Sequence, residues 1–137
     1  MPVYLVALAL IALWPTPVDR GARGSISGGL DWLHAHGVPG WLDYPVIEFT
    51  ANIALFLPVG LLGVLLLGRS RWWLTILAGA AASTVIELSQ LVFLPARVPT
   101  AADVVANTAG TALGALLGVA LLAAITARHA ASIPPGG

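Results

Sequence analysis

Seven residues of this chain could do polar chemistry at spacings that group them: Glu48, Asn52, Glu87, Gln90, Arg97, Asp103 and Asn107. Glu48 with Asn52 and Asp103 with Asn107 are spaced i, i+4, and Glu87 with Gln90 is spaced i, i+3, so on helices each pair shares a face. Carboxylates accept hydrogen bonds or exchange protons, carboxamides donate and accept, and the guanidinium of Arg97 is a planar fork for anionic oxygens. Three acids stand against the single Arg97, so full ionisation of a cluster would leave two negative charges uncompensated. Such a site is expected to hold a proton or to attract a cation.

Glu87 is the most demanding of the seven. It lies about 9 Å inside an apolar segment, where an unpaired charge costs at least about 3 kcal/mol. Arg97, in the connection that follows, is the natural partner, since its long stem can reach back. An ion pair of this kind is either structural or functional, and intramembrane ionisable groups are functional candidates by default. Thr100 and Asp103 form a Thr-x-x-Asp capping box, so Asp103 can cap a helix as well as serve a site. Asn52 and Asn107 are expected to be hydrogen-bonded glue between helices.

Other chemistries are excluded. There is no Cys, and Ser83 and Ser89 have no His nearby in sequence, so no catalytic nucleophile is expected. His34, His36 and His129 are scattered without ligand spacing and are expected to be loop residues, with no metal site and no cofactor. Net charge is zero and no basic run is present, which sets nucleic acid aside.

The elements that position these residues follow from apolar runs. With 58% hydrophobic and 9% charged residues among 137, and a mean hydropathy of +0.93, the chain is expected to be a single all-α membrane domain. Runs at 49–67, 72–93 and 102–126 are long enough to cross about 30 Å of hydrocarbon. A shorter run at 3–18 is expected to be a further crossing, because only Met1 and Pro2 precede it where a cleavable signal would carry basic residues. The expectation is a polytopic bundle of four transmembrane helices with one longer outer loop, 19–45, whose glycines break any long helix and whose Trp32 and Trp41 rest on the membrane surface. Trp14, Trp72 and Trp73 fall at segment ends, as interfacial anchors do. Gly110, Gly114 and Gly118 make a smooth stripe on the last helix, and Pro58 frees the carbonyl of Ala54 inside the second.

Alternating crossings sort the polar residues. The start of the second segment, the end of the third and the start of the fourth share one membrane face, so Asn52, Glu87, Gln90, Arg97, Asp103 and Asn107 meet at one depth, with Glu48 left to the headgroup layer. The other half of the bundle offers little polarity besides Thr75. The six Arg divide evenly between the faces, but Arg69 and Arg71 crowd a tight turn at two helix ends, which places that turn inside and the polar pocket outside.

These residues, taken in order, resemble the VanZ-like family of bacterial membrane proteins. The resemblance is carried by Asn-Ile-Ala-Leu-Phe-Leu-Pro-Val-Gly at Asn52 to Gly60, Glu-Leu-Ser-Gln at Glu87 to Gln90, Arg97, Asp103, and Asn-Thr-Ala-Gly at Asn107 to Gly110. It runs from Tyr44 to Gly118, while the first helix, the long loop and the tail match poorly. The family pattern often has an acid or Ser between the Arg and the Asp; Thr100 stands there, which argues against a metal-binding acidic pair. The resemblance implies a helical plasma-membrane protein of the cell envelope and, in some members, reduced sensitivity to lipoglycopeptides such as teicoplanin. Together the readings point to a non-enzymatic protein whose partners are membrane lipids or a lipid-linked cell-wall component held in the outer pocket. The alternative is an intramembrane enzyme or proton-coupled transporter, with Glu87 exchanging the proton.

Overall fold

The computed structural model describes residues 2–12, 21–94 and 100–132. Among them are five α-helices and no strand: α1 Pro2–Ala12, α2 Arg23–Ala35, α3 Tyr44–Leu67, α4 Trp72–Phe93 and α5 Ala101–Ser132, with a 3-10 turn Arg69–Arg71 between α3 and α4. Three helices are long and apolar enough to cross a membrane: Tyr44–Leu67, Arg69–Phe93 and Ala101–Ala131. The described part of α1 is 11 residues, about 16 Å at 1.5 Å per residue and short of the hydrocarbon thickness. The expected fourth crossing, 3–18, lies partly outside the described residues, as do Trp14 and Pro15.

The boundaries differ from those expected in three places, each for a local reason. Tyr44 rather than residue 49 opens α3, because the Asp43 carboxylate accepts from Val46 N at 3.1 Å and Pro45 occupies the first turn. Second, α5 runs to Ser132, six residues past the expected end at 126, and no helix breaker intervenes before Pro134. Third, the loop 19–45 is not irregular throughout: 23–35 is helical despite Gly24, Gly28 and Gly29. There Ile26, Leu30 and Leu33 recur at i, i+4, i+7 and turn inward, Leu30 being buried, and that apolar burial offsets a glycine penalty of roughly 1 kcal/mol each. The end of α2 is tied down by His34 Nε2 at 3.0 Å from the Leu42 carbonyl. Arg23 lies 4.6 Å from the centre of the Tyr44 ring, joining the start of α2 to the start of α3. Trp32 and Trp41 remain exposed on this segment.

The helices are built for lipid. On α4 the buried positions are Thr75, Gly79, Ser83, Glu87 and Gln90, whereas Leu77, Val85, Leu88 and Leu91 face outward. This inverts the pattern of a soluble helix, and the outward hydroxyls bond within their own helix: Thr84 donates to Ala80 O at 2.9 Å and Ser89 to Val85 O at 2.7 Å. A hydroxyl facing hydrocarbon has nowhere else to bond.

The glycine stripe packs as expected. A Cβ at Gly110 would overlap the Ile53 carbonyl, one at Gly114 the Leu57 carbonyl, and one at Gly60 the Thr111 carbonyl, so α3 and α5 meet backbone to backbone. Gly63 makes room in the same way for Thr75 of α4, and Gly79 for Thr111 of α5.

Candidate functional site

Where α3, α4 and α5 cease to touch through glycine, polar side chains hold them together. Asn52 of α3 donates from Nδ2 to Asp103 Oδ1 of α5 at 2.7 Å. One turn deeper, Asn107 of α5 donates from Nδ2 to Ser83 Oγ of α4 at 2.8 Å, a bond that is fully buried. Thr111 donates back to the Asn107 carbonyl at 2.9 Å. Both Asn residues are thus bridges between helices, and neither is confined to that role, because both also line a cleft.

At the head of α5 the capping box is split between two helices. Thr100 caps in the ordinary way, its Oγ1 accepting from Asp103 N at 3.1 Å. In a closed box the acid three residues on would reach back to the cap's own N–H. Here Glu87 of α4 takes that donor instead, Oε2 accepting from Thr100 N at 3.0 Å. The Asp103 carboxylate turns to Asn52. Glu87 therefore anchors the N-terminus of α5 from outside, and an acid buried to 9% exposure gains a backbone donor at the positive end of a helix dipole.

These contacts border a cleft enclosing about 500 Å³ of space including its open mouth. Asn52, Glu87, Gln90, Asp103 and Asn107, all expected to meet, line it together. Arg97, the sixth, lies outside the described residues, so the expected Glu87–Arg97 pair is not among the contacts described. Glu48 lines the same cleft. The early start of α3 explains this, since it puts Glu48 in the second helical turn, one turn before Asn52.

Other residues of the site were not singled out by their chemistry. Ser83 precedes Glu87 by four residues on the same buried face of α4, and that spacing was the available signal. Leu8 and Ile11 of α1 supply an apolar wall, joined by Phe56 and Ile86. The Tyr4 hydroxyl donates to the Leu55 carbonyl, next to the Ala54 carbonyl that Pro58 deprives of its usual donor, so α1 is fastened to α3 where the prolyl ring disturbs the helix. Among the described residues no group of three His, Cys, Asp or Glu is arranged to hold a metal ion.

The family model of VanZ/LLP1 matches residues 1–123. The chain belongs to the VanZ/LLP1 family. The match extends beyond the 44–118 read from the motifs and takes in α1 and α2. Leu8 and Ile11 of α1 form part of the cleft wall, and apolar side chains of this kind carry no polar motif. Among curated proteins nothing matches the chain, and among solved structures nothing matches it either. Membership of VanZ/LLP1 together with the apolar spans makes this a helical membrane protein.

Proposed function

We propose that this VanZ/LLP1 protein resides in a bacterial plasma membrane and binds a lipid headgroup, or the polar head of a lipid-linked cell-wall component, in the cleft bordered by Asn52, Glu87, Gln90, Asp103 and Asn107. The observation that carries this reading is the cleft itself, whose polar lining interrupts a helix surface that is otherwise apolar. Polar groups inside a bilayer are expensive and mark a binding path or a relay. Arg97 is the group expected to meet the anionic oxygens of such a head. The crowding of Arg69 and Arg71 at the opposite turn supports an inward position for that turn and an outward one for the cleft. Completion of the α1 segment as a fourth crossing belongs to the same reading.

Through such binding the protein would lower sensitivity to lipoglycopeptides such as teicoplanin. Expression of wild type, Glu87→Gln and Arg97→Ala at matched abundance in a susceptible bacterium tests this. Protection by the wild type and its loss in both variants is the expected result. Equal susceptibility of all three strains would remove the cleft from the account. The engagement of Ser83 Oγ by Asn107 rather than by a base favours binding over nucleophilic catalysis.

A further inference from the structure

The kind of head the cleft accepts is legible in its charge and in one unmatched atom. Its described lining includes three acids, Glu48, Glu87 and Asp103, and no basic side chain. Outside the described residues the chain holds two basic side chains, Arg20 and Arg97, so the three acids outnumber the basic side chains that could join them. At the floor, Asn107 is 5% exposed, and its Oδ1 has no hydrogen-bond donor although Nδ2 is engaged by Ser83. A buried acceptor left without a donor is costly, and a ligand N–H or O–H reaching the floor removes that cost.

Resting on the headgroup reading above, we propose that the cleft selects a headgroup bearing a primary ammonium. A primary ammonium carries three N–H donors and a positive charge. It thus answers both features at once: the excess of carboxylates, and the unmet Oδ1 of Asn107, a residue that lines the cleft. A trimethylammonium head has the charge but no N–H, and its recognition relies on a cage of aromatic faces. The described lining holds one aromatic ring, Phe56. An anionic head such as glycerol phosphate meets the same acids as repulsion.

The test is competition binding to the full-length protein in nanodiscs of phosphatidylcholine. Short-chain phosphatidylethanolamine, phosphatidylcholine and phosphatidylglycerol serve as competitors of a fluorescent lipid, with free phosphoethanolamine as a further arm. The ethanolamine lipid is expected to outcompete the choline lipid by about tenfold, the order of one charge-assisted hydrogen bond. Asn107→Leu should bring the two to parity, whereas Ser83→Ala, which leaves Oδ1 in place, should keep the preference. Should Asn107→Leu fail to fold, Glu48→Gln at the exposed rim should still reduce the preference severalfold. Preference for the choline or glycerol lipid, or none, would overturn the ammonium inference while leaving the headgroup reading intact. Failure of every lipid to compete, with phosphoethanolamine binding, would keep the ammonium and overturn its lipid source. Failure of all four would overturn both.

Discussion

The contact between α3 and α5 is made in two different ways along its length. From Ile53 to Leu61 of α3 it is glycine against backbone, with Gly60, Gly110 and Gly114 leaving no room for a single added carbon. Immediately before that, at Asn52, it becomes a side-chain bridge to Asp103. The first kind of contact is tight, dry and indifferent to charge. The second spaces the helices by the length of two polar side chains, and the cleft opens there. A membrane bundle has little hydrophobic drive to hold its helices together, so close backbone packing supplies the cohesion at one end and frees the other to be polar.

Substitutions at three positions test this division, in descending order of effect. Gly60→Val puts a branched side chain against backbone atoms of Thr111 and Ala115 that cannot rotate away. Overpacking typically costs about 1–3 kcal/mol and more against rigid neighbours, so loss of monodisperse protein in detergent is expected; unchanged yield and melting would show that the glycine contact is not what holds α3 to α5. At the polar end, Glu87→Ala strands the Thr100 N–H, a loss of about 1–3 kcal/mol, whereas Glu87→Gln keeps an acceptor. A thermal melt should therefore separate the two, and coincident melts would refute the split capping box. Smallest is Asn52→Leu, which deletes one interhelical bond of about 0.6 kcal/mol; its melting shift should be barely measurable, so any large change would mean that the bridge, rather than the glycine seam, carries the bundle.

The same division explains what could be read in advance. The limits of α4 were legible to the residue, because Arg71 precedes and Pro95 soon follows a long, mainly apolar run. The start of α3 was not, although Asp43 and Pro45 are ordinary start signals, because a search by hydropathy passes over the polar turn that precedes an apolar run. α2 was hidden by its glycines, whose local cost is outweighed only when Leu30 finds something to pack against. Asn52, Glu87, Gln90, Asp103 and Asn107 line one cleft, where helical spacing and alternating crossings bring them; Arg97, grouped with them in sequence, lies outside the described residues. Ser83 was set aside as a failed nucleophile, when its part is to hold Asn107.

The sequence by itself determined the apolar spans, the glycine face and the depth at which polar groups accumulate, because each depends on residue type and on the fixed rise and turn of a helix. Only the tertiary structure decided the partners. That Thr100 N bonds to Glu87 rather than to Asp103, and that Asp103 is thereby released to Asn52, depends on how far α3, α4 and α5 stand apart. Helical periodicity gives the direction in which a side chain leaves its helix; it carries no information about the distance to the next one.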